Sequence, residues 1–331
     1  MRYVILGNTG IKVSVIALGL WAAGGTFWGG TDQQAIEKAI NASIDAGVNF
    51  IDTAPGYGYG LSEEILGRAI KGKRDSVVIA TKCGLVWDVE EGFLHYSFPG
   101  IGNEKSVNVY RSLKKDSIKK ELQQSLKLLG TDYIDLYQTH LQDPNTPIAE
   151  TIETLLELKS NGYIRAIGVS NVTLDNLKEY SAYGTIDSDQ EKYSIIDRDI
   201  ESSLLPWCRD NKASMLAYSP LSKGLLSGNI DPERKFTKDD SRILFNPKRF
   251  SMESILEANL LLEKNLGPSA EKHNAAVGNI AVAYLVQDET VIAICGARNE
   301  KQAVENAKAG DIILDQQDRK AVEIFISQYK Y

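Results

Sequence analysis

The sequence has few of the residues from which disulfide frameworks and metal sites are built. Its 331 residues include three cysteines and three histidines. Cys83, Cys208 and Cys295 form neither a CxxC pair nor a cluster with histidine, and His95 and His273 have no ligand-like spacing to acidic residues. These absences argue against a disulfide scaffold and a structural zinc site. We predict no metal, and a reducing compartment fits best.

Long apolar runs and basic runs are also missing. No stretch of about 18 apolar residues occurs, and the N-terminal segment lacks the features of a signal peptide. The net charge of -7 comes from well-mixed charges, which give no electrostatic footprint for nucleic acid or an anionic membrane. We therefore expect a soluble, cytoplasmic protein that binds small molecules, and the sequence leaves its oligomeric state open.

No GxGxxG motif follows a predicted strand, so we do not expect a dinucleotide in a Rossmann crevice. The sequence instead alternates apolar segments of strand length with segments of helical period. Seven strands are predicted at 15–20, 48–52, 77–82, 133–140, 164–170, 214–219 and 291–296, and a weaker eighth at 186–190. Strands that alternate with helices form parallel sheets through right-handed crossovers. Eight such units predict closure into a (β/α)8 TIM barrel, as a single α/β domain spanning 1–331.

Other segments complete the predicted fold. Segments 3–6 and 11–14 flank the turn sequence Gly-Asn-Thr-Gly and predict an N-terminal β-hairpin. Helices are predicted at 32–46, with Thr31 as N-cap, and at 62–70, 114–129, 148–161 and 174–180. Segments 84–112 and 222–250 break the alternation directly after strand ends. We expect them to be long loops over the C-terminal face, where the active sites of barrels lie.

Four polar or ionisable residues lie at or just after the ends of predicted strands. Asp52, Lys82 and His140 each end a strand, and Tyr57 follows Asp52 by five residues. Because a buried charge needs a partner, we expect Asp52 and Lys82 to pair at the mouth of the barrel. A nearby ammonium favours phenolate, so we expect a lowered pKa for Tyr57, which would make it a general acid near neutral pH. A neutral His140 would orient a carbonyl oxygen.

Asp52, Tyr57 and His140 also have more ordinary interpretations. Taken singly, a strand-end aspartate is commonly a helix cap or an ion-pair partner. A tyrosine is commonly half-buried packing, and a lone histidine is commonly structural. Their joint placement on successive strands favours catalysis.

Seven motifs then follow one another along the chain: GxWAxGGTxWGGTD, DTAPxYGxGxSEExxGxAI, VxxATK, LxTDYIDLYQxH, GxIRAIGVSN, YSPLxxGLLSG and GAR-x3-Q-x3-N. In order and spacing they resemble the aldo-keto reductases, and most closely the bacterial general-stress and inositol-linked members. The resemblance implies a nicotinamide-dependent oxidoreductase acting on aldehydes, ketones or sugar carbonyls. It also implies that Asp52, Tyr57, Lys82 and His140 form the catalytic tetrad, with Tyr57 as the proton donor.

The resemblance also implies a cofactor site. Ser170, Asn171 and Gln190 end strands with polar groups that suit a carboxamide, and they are implied to bind the nicotinamide while Tyr218 stacks on its ring. The first two residues could instead cap a helix, and the two roles are compatible. The other implied cofactor residues are Trp21, Ser219, Pro220, Leu221, Gly224 and Arg242, with Gly296, Arg298, Gln302, Glu305 and Asn306 around the opening of the last helix.

Two departures from the family pattern concern the pocket. Gly296 and Ala297 stand where many relatives have Lys and Ser. The chain therefore has fewer polar side chains to bind the 2′-phosphate of NADP. Since Arg298 is a suitable partner for that phosphate, NADP(H) is favoured and NAD(H) is possible. The sequence His-Leu-Gln-Asp-Pro at 140–144 replaces the usual His-Trp-Pro, which alters the substrate pocket. The predicted pocket walls are Trp21, Trp28 and Trp87.

Three other functions are compatible with parts of the pattern. Potassium-channel β subunits share this fold and hold the cofactor as sensors, but they carry asparagine at the position of His140. A sugar or polyol dehydrogenase working with NAD would run the same chemistry in the oxidative direction. A Schiff base on Lys82, as in barrel aldolases, is the third possibility, and the cofactor motifs disfavour it.

Overall fold

The computed structural model describes residues 1–90, 92–98 and 106–330. Residues 91 and 99–105, within the predicted loop 84–112, and residue 331 lie outside the described residues. Within the described ranges there are thirteen strands: β1 (Tyr3–Ile5), β2 (Lys12–Ser14), β3 (Ile16–Gly19), β4 (Phe50–Asp52), β5 (Val78–Cys83), β6 (Leu85–Val86), β7 (Phe93–Phe98), β8 (Val107–Arg111), β9 (Ile134–Thr139), β10 (Ile164–Ser170), β11 (Ser188–Lys192), β12 (Ser214–Tyr218) and β13 (Val291–Gly296).

The same ranges contain eleven α-helices: α1 (Gln33–Asp45), α2 (Leu61–Ala69), α3 (Lys115–Leu129), α4 (Ile148–Ser160), α5 (Leu174–Tyr183), α6 (Leu204–Asn211), α7 (Ser241–Phe245), α8 (Met252–Lys272), α9 (Val277–Leu285), α10 (Glu300–Lys308) and α11 (Gln316–Gln328). None of the helices in the described part of the chain is both long enough and apolar enough to cross a membrane.

Eight parallel strands close into a barrel in the order β3-β4-β5-β9-β10-β11-β12-β13. Each strand is followed by one or more helices, which confirms the predicted (β/α)8 fold. The weakly predicted eighth strand is β11, two residues later than expected. It lacks a strong apolar pattern because its sequence is Ser-Asp-Gln-Glu-Lys.

Side chains alternate between the interior of the barrel and the surrounding helix layer because successive strand residues point to opposite faces. Phe50 and Leu136 pack inside the barrel, together with Leu6 of the hairpin. Their strand neighbours Ile51 and Tyr137 belong instead to the large cluster beneath the helices. The strands are therefore buried on both faces, and inward positions near their C-terminal ends point toward the barrel mouth.

The predicted N-terminal hairpin is confirmed and covers the opposite end of the barrel. β1 pairs with β2 in antiparallel fashion. The backbone N–H of Gly7 donates to Ser214 Oγ at 2.9 Å. A Cβ on Gly7, whose φ is +49°, would lie 2.3 Å from the carbonyl oxygen of Asp187. The hairpin turn thus lies directly against the N-terminal ends of β11 and β12.

The two segments over the mouth differ from each other. Segment 84–112 is not simply a loop, because β6, β7 and β8 form a three-stranded antiparallel sheet in it. Segment 222–250 is mostly irregular and contains a 3-10 turn and α7.

The predicted N-cap of the first helix also needs correction. Asp32, not Thr31, caps α1, since its Oδ1 accepts from the Ala35 N–H at 3.1 Å.

Two carboxyl groups are buried between the barrel and its helices. Glu63 of α2 accepts from Thr81 Oγ1 at 2.6 Å, and both carboxyl oxygens of Glu121 of α3 accept from the Gly84 N–H at 3.0 Å. Burial outweighs these hydrogen bonds and raises the pKa of Glu63 to about 7 and that of Glu121 to about 8. Both groups therefore hold a proton in the folded protein at pH values where they are ionised in the unfolded chain.

We predict that the free energy of unfolding decreases as the pH rises from about 5 to about 8. A carboxyl whose pKa is higher in the folded state binds more protons there, so stability falls with pH across that window, by up to about 1.4 kcal/mol per pH unit for one group. Glu121→Gln keeps an acceptor for Gly84 and should flatten the profile measured by denaturant unfolding. Glu323→Gln, at an exposed position of α11, is the matched control. An unchanged slope in Glu121→Gln would contradict the prediction.

Candidate active site

A cavity of about 1390 Å³ opens at the C-terminal end of the barrel. Ligand pockets of drug size are typically about 300–1,000 Å³, so this cavity is larger than one small ligand needs. Its walls come from the strand ends, from segment 21–28, and from both segments over the mouth.

The inward alternation of neighbouring strands brings Asp52 and Lys82 together. Both side chains are nearly inaccessible, at 3% and 1% exposure. Lys82 Nζ lies 2.9 Å from each carboxylate oxygen of Asp52 and 2.9 Å from the carbonyl oxygen of Thr53. It also lies 3.2 Å from the Tyr57 hydroxyl. The predicted ion pair is thus present, and Lys82 lies behind Tyr57 and outside the cavity wall.

Burial and charge together set the protonation of this group. Burial alone would lower the pKa of Lys82, but Asp52 and Tyr57 more than compensate and raise it. The pKa of Tyr57 is raised because burial outweighs the attraction of Lys82, so the lowered value expected from the sequence is wrong in sign. The pKa of His140 lies well below its ordinary value, through burial and then the positive charge of Lys82. Near neutral pH, Tyr57 and His140 are therefore uncharged.

Two glycines allow the turn after β4 to present Tyr57. A Cβ on Gly24 would lie 2.3 Å from the carbonyl carbon of Tyr57, and one on Gly58 would lie 2.3 Å from the carbonyl oxygen of Gly24. The φ of Gly58 is also +69°, a region that favours glycine. The two backbone segments therefore touch, and this contact fixes the position of the tyrosine.

His140 follows β9 and faces Tyr57 across the cavity wall. The two rings meet edge to face with centroids 5.7 Å apart. The backbone of His140 is held on both sides, since its N–H donates to the carbonyl oxygen of Cys83 at 2.8 Å and its carbonyl oxygen accepts from Asn171 Nδ2 at 3.0 Å.

The polar residues at the ends of β10, β11 and β12 form one connected network. Asn171 Nδ2 also donates to Ser170 Oγ at 2.9 Å, and Asn171 Oδ1 accepts from the Tyr218 hydroxyl at 2.9 Å. Gln190 Nε2 donates to Asp52 Oδ1 at 2.8 Å, which joins this network to the ion pair. Sequence reasoning missed Gln138, which lies 3.5 Å from both Asp52 Oδ1 and Gln190 Nε2. Its inward position two residues before His140 was the available signal.

The far end of the cavity is positively charged. Arg298 donates to the carbonyl oxygens of Trp28 at 3.2 Å and Gly30 at 2.9 Å. Arg242 makes two bonds to Asp240, at 2.8 and 2.6 Å. The other implied cofactor residues that line the cavity are Trp21, Ser219, Pro220, Leu221, Gly224, Gly296, Gln302, Glu305 and Asn306. The helix that carries the last three is α10, and α11 follows it.

The structure separates the three tryptophans predicted as pocket walls. Trp21 and Trp28 line the cavity and meet edge to face at 5.2 Å. Trp87 packs on Tyr59 at 5.2 Å and is not among the described residues that line the cavity. Lining residues that the sequence did not single out for the pocket include Phe27, His95, Tyr96, Lys223, Arg234 and Phe245. Phe27 lies on segment 21–28 and the others lie on the segments over the mouth, outside the barrel strands, so the register of the barrel does not predict their side-chain directions.

Comparison with known proteins places this geometry in a class. The aldo/keto reductase family model matches residues 15–327. An NADH-specific methylglyoxal reductase of Escherichia coli is 41% identical over 96% of each chain. A glycerol dehydrogenase structure from Gluconobacter oxydans is 33% identical, with a TM-score of 0.86 over 99% of this chain and 95% of that one. An aldo/keto reductase from Klebsiella pneumoniae, in complex with NADP and acetate, is 25% identical, with a TM-score of 0.71 over 98% and 95%.

The chain therefore belongs to the aldo/keto reductase family. It is an NAD(P)H-dependent oxidoreductase whose reaction class is carbonyl reduction.

We predict that Lys82→Met alone is much more destabilising than Lys82→Met combined with Asp52→Asn. The single variant leaves a buried carboxylate without its cation, which typically costs about 3–5 kcal/mol. The double variant replaces the pair by neutral groups of similar size and keeps an acceptor for Gln190. Denaturant unfolding of both variants and of Asp52→Asn completes the cycle. Equal stability of the single Lys82 variant and the double variant would contradict the prediction.

Proposed function

We propose that the protein reduces the carbonyl group of an aldehyde, ketone or open-chain sugar, with Tyr57 as the proton donor. The observation that carries this proposal is the convergence of three groups at one end of the cavity. The hydroxyl of Tyr57 lies 3.2 Å from the ammonium of the buried Lys82, and its ring faces the uncharged His140.

Each residue has a defined part in the proton transfer. Tyr57 holds its proton near neutral pH because its pKa is raised, so it is available as a donor. The Lys82 ammonium stabilises the phenolate that forms as the proton leaves, and Asp52 keeps that lysine charged. His140, uncharged, donates a hydrogen bond that orients the carbonyl oxygen toward Tyr57. A bound nicotinamide cofactor would supply the hydride.

The polar network at β10 and β11 fits the carboxamide of such a cofactor. Gln190 commits its Nε2 to Asp52, and no donor in the described part of the chain reaches its Oε1. That oxygen is therefore free to accept from the amide of a nicotinamide. Ser170 and Asn171 lie beside it in the cavity wall, and the Tyr218 ring is available for stacking.

At the far end, the charges favour a phosphate. Arg234, Arg242 and Arg298 are close enough that the last two, after burial, lower the pKa of Arg234. Since Asp240 neutralises Arg242, Arg298 is the proposed partner for a 2′-phosphate. On this basis NADP(H) is favoured, and NAD(H) is the alternative, because one relative is named NADH-specific and another was solved with NADP.

Tyr57→Phe should reduce turnover by about 10²–10⁴-fold, the range typical of a lost general acid. Cofactor affinity should stay close to that of the parent protein, because the hydroxyl is not proposed to bind the cofactor. The measurement is the consumption of reduced cofactor with a reactive aromatic aldehyde, beside a fluorescence titration with cofactor. Tyr59→Phe is the control, since its hydroxyl has no hydrogen-bond partner among the described residues. Full turnover by Tyr57→Phe would contradict the proposal that Tyr57 is the proton donor.

Arg298→Met should weaken the binding of NADPH by about tenfold and change that of NADH by less than twofold. The expected difference is that of one charge-assisted hydrogen bond to a phosphate. Arg298 also holds the backbone at Trp28 and Gly30, and the NADH titration reports any loss from that source. Equal weakening with both cofactors would contradict the role of Arg298 in recognising the phosphate.

A further inference from the structure

A β-bulge in the sheet over the mouth lies at His95. On β7, Leu94 pairs with Tyr110 of β8 and Tyr96 pairs with the adjacent Val109, so His95 has no partner across the ladder. Bulges bend a strand and re-aim side chains, and they are common beside active sites. In a regular strand, His95 and Tyr96 would point to opposite faces. Here both line the cavity.

Arg111 of β8 fixes the tautomer of His95. Arg111 Nε and Nη2 lie 3.3 and 3.1 Å from His95 Nδ1. A guanidinium can only donate, so Nδ1 must be the accepting nitrogen. The ring is uncharged near neutral pH, because burial and then Arg111 lower its pKa to about 4. Its one proton is therefore on Nε2, which has no partner among the described residues.

The environment of His95 makes this N–H significant. His95 is close enough to His140 to influence its titration, so the cavity wall holds two uncharged imidazoles near each other. The cavity lining is largely apolar and includes Phe27, Leu85 and Leu141. A donor left unpaired in such a wall disfavours a ligand that offers no acceptor.

Ser97 of β7 also lines the cavity, but its hydroxyl already has a partner. The Ser97 hydroxyl lies 2.7 Å from Asn108 Oδ1, and an amide oxygen can only accept. The serine proton is therefore already used, and Ser97 has no hydrogen left to donate into the cavity. Beside the phenol of Tyr96, His95 is therefore the donor that β7 offers to a ligand.

We propose that His95 is a specificity-determining residue, which donates from Nε2 to a second oxygen of the substrate, apart from the reacting carbonyl oxygen. The inference rests on the proposed function. Its substrate class is the oxygenated aldehydes, in which a hydroxyl or second carbonyl lies near the reacting group, and it disfavours plain alkyl aldehydes. Arg111 is the positioning residue that keeps Nδ1 as the acceptor.

The test compares three aldehydes of three carbons: propanal, 2-hydroxypropanal and 3-hydroxypropanal. Each hydroxylated aldehyde differs from propanal by one hydroxyl. The ratio of its kcat/KM to that of propanal therefore measures how well the protein recognises that hydroxyl. For His95→Phe, we expect this ratio to fall by about tenfold for at least one hydroxyl position, with kcat/KM for propanal equal to or higher than that of the parent. His95→Gln, which keeps a donor, should recover part of the ratio.

Ser97→Ala is the matched control, from the same strand and the same cavity wall, and should leave the ratio unchanged. An unchanged ratio in His95→Phe, or an equal loss on all three aldehydes, would overturn the role of His95 while leaving the reductase assignment intact. A parent protein that turns over none of the aldehydes with either cofactor would instead overturn the proposed function, and this inference with it.

Discussion

The site depends on one interaction, the buried ion pair between Asp52 and Lys82. Both side chains are almost inaccessible to water, and an unpaired charge in such a place would be strongly destabilising. The barrel makes the pair possible because β4 and β5 are neighbours, with Asp52 opposite Ala80 and therefore beside the next inward residue, Lys82. Gln190 and the carbonyl of Thr53 supply further hydrogen bonds. Because these partners come from different parts of the barrel, the position of the ion pair is fixed. The Tyr57 hydroxyl lies beside Lys82, on the side of the ion pair that faces the cavity.

This arrangement changes how the tyrosine is understood. The sequence predicts that a neighbouring ammonium lowers the pKa of Tyr57, and the structure shows that burial has the larger effect. The lysine is already paired with Asp52, so its field at the phenol is partly cancelled by a carboxylate, which raises the pKa of the same group. Tyr57 is therefore a protonated group with a positive charge 3.2 Å away. That charge acts mainly on the phenolate that would form as the proton leaves, which is the property a proton donor requires.

Much of this could be predicted from the sequence, for identifiable reasons. Apolar segments of strand length between helical segments define the barrel. Side chains alternate between the two faces of a strand, so a polar residue at the inward C-terminal end of a strand, such as Asp52 or Lys82, faces the mouth of the barrel. The alternation therefore also indicates candidate site residues. The same rule would have found Gln138. It could not place Trp87, since an aromatic residue outside a barrel strand has no register to fix its direction, and it could not find His95, which is turned to the cavity by a bulge that depends on pairing between two distant segments.

The chain thus separates chemistry from recognition. The tetrad candidates are held by the barrel and the strand ends, whereas much of the other cavity lining belongs to segment 21–28 and to the segments added after β5 and β12. A contact made by Arg111 links the two parts near the reacting end. Arg111 of the added sheet donates to His95 and also to the carbonyl oxygen of Gln142 at 3.2 Å, two residues after His140. A single guanidinium therefore helps to set the position of one imidazole relative to the other. The spacing between these two rings depends on side-chain contacts and not on strand register. The alternation of strands and helices along the sequence therefore indicates the barrel and the residues at its strand ends. It does not indicate the shape of the preferred substrate.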